Sequence, residues 1–155
     1  MDSEKWEELL KVGIGEIDNE HQLIHHMIQQ LRSMLGSAGR NSLPGGLALS
    51  TLQQLMVFIR KHFANEEELM LESHYPGFDQ HKHEHDLFLE HLEDVERRAP
   101  GQEVVMIVEF LNSLSNWFQH HVLEVDKKLG FFLLEKTIAA RNVEDPEGGA
   151  KPPVD

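Results

Sequence analysis

The chain contains no cysteine. That single absence excludes disulfides, zinc ribbons, iron–sulfur clusters and thiol nucleophiles. No apolar run approaches the ~20 residues that a membrane-crossing helix needs. The opening MDSEKWEELL is acidic and carries no signal-peptide apolar block, so a cytoplasmic protein is expected. Positive charge is scarce: 14 Lys and Arg stand against 27 Asp and Glu, for a net charge of -13. Nucleic acid and anionic membrane surfaces carry the same sign and are poor partners for such a chain. Strand patterning is also missing, because no stretch alternates apolar and polar residues for long. What remains is 155 residues, 40% of them hydrophobic, enough for one domain with a sizeable core. The unusual abundance is histidine, 11 in all, roughly three times an average composition.

Helical periodicity dominates. One segment runs from about Asn19 to Leu35 and closes at Gly36, followed by the breaker-rich GSAGRNSLPGG. A second runs from about Leu47 to Ser73 and stops before Tyr75-Pro76-Gly77. A third runs from about Phe78 to Arg98 and is ended by Pro100 and Gly101; a fourth runs from about Gln102 into the 120s. Long helices with short connections predict an all-α, up-down-up-down antiparallel four-helix bundle. Residues 1–18 are expected to form an arm, with Trp6, Val12 and Ile14 packing on the bundle. The bundle domain is expected to span 1–136, and the short apolar piece LGFFLLEKTIAA that follows the fourth helix to form a short C-terminal helix. Residues 137–155 form a tail, expected to be disordered because VEDPEGGAKPPVD has almost no apolar content.

Phasing each helix by its apolar seam places histidine and glutamate where core residues belong. The seams read His21, Ile24, Ile28, Leu31, Leu35; then Leu55, Ile59, His62, Glu66, Leu69; then His81, His85, Phe88, Leu92, Val95; then Leu111, Leu114, Phe118, His121. A buried polar group without a partner costs roughly 1–3 kcal/mol, so something in the core must satisfy these, and a metal would. Helix positions i and i+4 lie about 40° and ~6 Å apart. His62/Glu66 and His81/His85 can therefore each converge on a small volume. In an antiparallel bundle the starts of the first and third helices share a pole with the ends of the second and fourth, and every candidate lies there. Asp126 follows His121 by five, about 140° around an α-helix. If Asp126 belongs to the site, the fourth helix must end or deform between them.

The ordered pattern H…HxxxE…HxxxH…HxxxxD resembles the hemerythrin family. It is carried by VGIGEIDNEH, HFANEE, HKHEHDLF and WFQHHVLEVD, and the resemblance reaches to about Lys136. The resemblance implies a non-haem di-iron site that binds O2 reversibly. By it, His81, His85 and His121 would hold one iron, and His21 and His62 the other, leaving a position open. Glu66 and Asp126 would bridge the pair with an oxo or hydroxo group. Phe118, Ile24 and Phe63 are candidates for a dry lining of the O2 pocket. Phe118 stands where the family often has an aliphatic residue, and its ring is expected to narrow that pocket.

The other polar residues read as bystanders. His83 lies about 200° from His81 and faces water. His25 flanks the seam, and His120 lies on the polar stripe with Ser113 and Asn116. Glu67 and Glu68 read as a solvated face, and His26, His74 and His91 as surface residues. Met27, Met34, Met56, Met70 and Met106 read as core filler, since thioethers do not suit a hard site. Imidazole-rich ligation favours O2 binding over O–O cleavage, so a carrier or store is expected rather than an enzyme. An O2 or redox sensor acting through a partner is the alternative, with a di-iron enzyme behind it. The exposed faces show no obvious apolar stripe, so a monomer is expected; the sequence names no protein partner.

Overall fold

The computed structural model describes residues 8–37, 45–98 and 103–144. Four helices form the bundle: α1 (Gly15–Ser37), α2 (Gly45–Ser73), α3 (Phe78–Arg98) and α4 (Glu103–His121). A five-residue π-helical segment (Val122–Asp126) leads without a break into α5 (Lys127–Glu144). No strand occurs among the described residues, so the chain is an all-α bundle. Groups near the starts of α1 and α3 meet groups near the ends of α2 and α4 within 4.8 Å. Successive helices therefore alternate in direction.

The seams bury as their periodicity demands. Ile24, Ile28 and Leu31 of α1 face Leu52, Leu55 and Ile59 of α2, Leu92 and Val95 of α3, and Leu111 and Leu114 of α4 in one apolar core. Toward the other pole the same seams change chemistry to His21, His62, Glu66, His81, His85 and His121, all buried. The core thus has an apolar half that supplies hydrophobic stabilisation and a polar half that must be satisfied in some other way.

Helix ends set the register of that polar half. At the end of α2, His74 adopts φ 55°. Its N–H reaches the Leu71 carbonyl (3.1 Å), and the Tyr75 N–H reaches the Met70 carbonyl (2.9 Å), a Schellman termination with histidine where glycine is usual. Pro76 and Gly77 complete the turn, so α3 begins early enough to put His81 in its first turns. The Lys136 ammonium of α5 donates to the Ser73 carbonyl (2.6 Å), and Phe132 packs against Tyr75. α5 is thereby tied back to the α2–α3 turn.

Several expectations shift. The arm is shorter than residues 1–18, because α1 already begins at Gly15; Val12 is buried, Ile14 packs on the core, and Trp6 lies outside the described residues. Helix α5 continues to Glu144 rather than giving way to a tail at residue 137, and 145–155 lie outside the described residues. The expectation of no exposed apolar stripe does not hold on α5, where Phe131, Leu134 and Ile138 (spacing i, i+3, i+7) are all exposed. That removes the ground on which a monomer was expected. No helix among the described residues is long and apolar enough to cross a membrane.

Candidate metal centre

Seven side chains converge at one pole: His21 from α1, His62 and Glu66 from α2, His81 and His85 from α3, His121 from the end of α4, and Asp126 from the π segment. Asp126 is the one that regular helix geometry would turn away. The backbone resolves this by a register change: the Lys127 N–H reaches the Val122 carbonyl, five residues back. A π turn brings residues five apart onto the same face. Asp126 Oδ1 consequently lies 3.0 Å from His121 Nε2. The helix deforms between the two, as the five-residue spacing requires.

The seven fall into two overlapping groups. Glu66, His81, His85, His121 and Asp126 form one; His21, His62, Glu66 and Asp126 form the other. Both carboxylates belong to both groups. Glu66 lies 3.2 Å from His85 Nε2, 3.6 Å from His81 Nε2, 3.7 Å from His62 Nε2 and 3.9 Å from His21 Nε2. Asp126 lies 3.1 Å from His81 Nε2 and 3.2 Å from His21 Nε2. His121 Nε2 is 3.1 Å from both His81 Nε2 and His85 Nε2.

The outer edges of the rings explain why these nitrogens face one another. Nδ1 of His21 donates to the Leu10 carbonyl (2.9 Å), and Nδ1 of His62 to Glu20 (2.8 Å). Nδ1 of His85 faces Glu67 (3.3 Å), and Nδ1 of His121 faces Glu84 (3.1 Å). With the proton held on Nδ1, each Nε2 is left as a bare lone pair aimed inward. Asn65 donates to the other oxygen of Glu20 (2.6 Å), fixing that carboxylate in turn. Aromatic walls hold the rings in plane. Trp117 stacks on His121 (4.2 Å between centroids, 16°), and Phe63 stacks on His85 (4.0 Å, 5°). Phe118 meets His21 edge-on at 5.6 Å, and Ile24 is buried on the same helix as His21.

Such a pocket is frustrated without a cation. His21 Nε2 and all four carboxylate oxygens of Glu66 and Asp126 are buried without a hydrogen-bond partner. An atom left so would cost roughly 1–3 kcal/mol, a penalty that a proton on a neighbouring imidazole, or a cation, removes. Protons relieve part of the conflict. Burial pulls the His81 imidazole down, but Asp126 and Glu66 outweigh it and raise its pKa to about 9. Burial and the Asp126 charge push Glu66 up, yet His62, His81 and His85 hold it far below the usual carboxylate range. Asp126 is likewise depressed: burial opposes ionisation, and His121, His21 and His81 overcome it. Burial, with the charges of His121 and His81, keeps His85 below its ordinary value.

The donor spacing also admits a metal in place of protons. Donors at right angles on a cation with ~2.1 Å bonds lie ~3.0 Å apart, whereas tetrahedral donors lie ~3.4 Å apart. The contacts of His121 Nε2 to His81, His85 and Asp126 are 3.0–3.1 Å, and those of Glu66 to His85 and His81 are 3.2 and 3.6 Å, a range that spans both spacings. Imidazole and carboxylate are also the donors that a borderline transition-metal cation prefers.

Fold and site together define a class: an all-α bundle with a buried cluster of histidines and shared carboxylates at one pole, able to hold cations. Residues 12–130 match the family model described as the hemerythrin HHE cation binding domain, and the chain belongs to the hemerythrin family. It is 28% identical over 117 residues to a bacteriohemerythrin of Stenotrophomonas maltophilia, covering 76% of this chain and 72% of that one. It is 31% identical over 121 residues to a bacteriohemerythrin of Pseudomonas aeruginosa, covering 78% and 75%. It is 28% identical over 124 residues to a myohemerythrin of Theromyzon tessulatum, covering 80% and 88%. No solved structure gives a significant match.

Sequence reasoning missed the supporting acids. Glu67, expected to be solvated, is half-buried between His85 and Lys82. Glu20 and Glu84 went unremarked, although each adjoins an inward histidine in sequence, on the flank facing the next helix. His25 is buried rather than merely flanking the seam. His91 is half-buried, with its Nε2 wholly enclosed. His83, His120, His26 and His74 are exposed, as their phases imply.

Proposed function

We propose that this chain binds O2 reversibly at a non-haem di-iron centre and serves as a carrier or store without turnover. The observation that carries the reading is the pair of overlapping donor groups sharing Glu66 and Asp126. In it, His81, His85 and His121 would hold one iron and His21 and His62 the other, with Glu66 and Asp126 available to both. The second group has one histidine fewer, which leaves room for an exogenous ligand. Bound iron would supply the electrons that make O2 binding favourable; the chain supplies position, tautomer and dryness. Leu10, Glu20, Glu67 and Glu84 hold their histidines as inward donors. Phe118, Ile24 and Phe63 keep water from the reduced centre. Dominance of imidazole over carboxylate supports a binding protein over an oxygen-activating enzyme.

The test is an optical spectrum of the iron-loaded, anaerobically reduced protein before and after air. A visible band that appears with O2 and disappears on its removal is the expected result. Oxidation with no band that reverses would overturn the carrier reading. One observation favours a second reading, an O2 or redox sensor acting through a partner. α5 follows Asp126 directly and exposes Phe131, Leu134 and Ile138, a face from which a change at the centre would be felt by a bound protein.

A further inference from the structure

The arm that precedes α1 reaches the centre through a hydrogen bond. His21 Nδ1 donates to the carbonyl of Leu10, a residue eleven positions away that is itself buried. His62, His85 and His121 are oriented by carboxylate side chains; His21 depends on backbone, so its orientation is only as good as the placement of that backbone.

Two features fix the placement. From one side, the Asp18 carboxylate accepts the N–H groups of Val12 (2.6 Å) and Gly13 (3.2 Å) and clamps the arm to the first turn of α1. From the other side, Val12 lies directly on Gly130 of α5. A Cβ at Gly130 would overlap the Val12 carbonyl oxygen and crowd its carbonyl carbon at 3.0 Å. Both atoms are backbone, so the overlap cannot be relieved by turning a side chain; the arm itself must move. Gly130 is buried within a helix, where glycine costs about 1 kcal/mol relative to alanine, and close approach of the arm accounts for its presence. Gly13 fits the same contact: its φ of 89° favours glycine, and a Cβ there would lie 2.9 Å from Leu134 Cδ1.

We propose that Gly130 and Asp18 are positioning residues for His21. By seating the arm they place the Leu10 carbonyl, which holds His21 as the Nδ1–H tautomer with Nε2 turned inward. They thereby govern occupancy of the two-histidine half of the centre without touching the three-histidine half. The inference rests on the reading of these residues as cation ligands, but its first readout does not require metal.

In metal-free full-length protein labelled with 15N-histidine, at a pH high enough to keep the rings neutral, the ring nitrogen shifts report tautomer. Wild-type His21 is expected to be held as Nδ1–H, and Gly130→Ala to show a mixture, with His85 and His121 unchanged. Titration with Co(II) is the second readout. Wild type is expected to take two ions, and Gly130→Ala to hold the first as tightly while the second weakens about 10–100-fold. If Gly130→Ala does not fold, Asp18→Ala loosens the same arm from the opposite side and is expected to show the same selective pattern. Unaltered His21 tautomer with two tightly held ions in the folded variant overturns the proposal; so does equal weakening of both ions, which is what general destabilisation gives. Wild type that fails to take two ions would count against the di-metal reading, while the tautomer comparison still decides the role of the arm.

Discussion

Substituting Glu66 by glutamine changes the centre with the least change of shape. The carboxylate is fully buried and lies 3.2–3.9 Å from the inward nitrogens of His21, His62, His81 and His85. It is one of two groups common to both donor clusters. An amide in its place carries no charge and offers an N–H₂ where a second acceptor stood. The charge shared by both proposed metal positions is lost, and one of the two positions would lose its oxygen donor. The linkage makes the effect measurable. Ligand at ~1,000 times its Kd stabilises by about 4 kcal/mol, and in a chain of this size each kcal/mol moves Tm by ~2–4 °C. Removing metal from wild type with a chelator should therefore lower Tm by roughly 8–16 °C. Glu66→Gln should start near the stripped value, respond little to chelator and hold fewer than two metals per chain. A variant that retains two metals, or a wild type whose melting ignores the chelator, would refute the assignment of Glu66 as a shared ligand.

Stability should also depend on pH with a sign that metal reverses. In metal-free protein the folded pKa of His81, about 9, exceeds its ordinary 6.5; this contribution is complete below pH 6.5 and lost as pH rises through 9. The loss is on the order of 3 kcal/mol, readable by urea melts at pH 6.5 and 9.5. Glu66 and Asp126, both depressed, stabilise above pH ~4, and that part disappears as pH falls through their lowered values. Metal must displace the His81 proton, so binding should tighten from pH 6.5 to 9; metal-free stability that stays flat over this range contradicts the charge balance described above. Glu20→Ala frees His62 Nδ1 and Asn65 together and should weaken metal at the two-histidine half about 10–100-fold in a metal titration, and equal affinity would show that the contact is incidental. His74→Gly relieves a left-handed residue at the end of α2 and should raise stability by about 0.5–1 kcal/mol in denaturant melts; a loss would mean that the His74 side chain has an unseen role.

The fold was legible because each helix has one seam and clear breakers. The Leu and Ile repeats of α1 to α4 give the face, and Pro76-Gly77 gives the end of α2; α1 runs one residue past the expected stop at Gly36, to Ser37, and Pro100-Gly101 lie outside the described residues. The convergence of His21, His62, Glu66, His81, His85 and His121 followed from phase and antiparallel order alone. Asp126 was legible only as a conflict. A five-residue spacing on one helix demanded a deformation, but nothing local in VLEVD announces a π turn. The outer partners were hidden for a different reason. Whether Glu20, Glu67 or Glu84 meets a histidine or water depends on the rotation of the neighbouring helix, and a single helix wheel does not contain that information. The Leu10 contact depends on backbone position and leaves no side-chain signature. Gly130, within α5, marks the close approach of Val12 and gives no sign in the sequence of which segment it meets.

The account stands on the proposal that two cations share Glu66 and Asp126. Diffraction from crystals of the iron-loaded protein, collected on either side of the iron absorption edge, tests this most directly. Two anomalous peaks are predicted, one beside His81, His85 and His121, the other beside His21 and His62, with both carboxylates between them. A single peak, or iron bound elsewhere while the pocket stays empty, would contradict it.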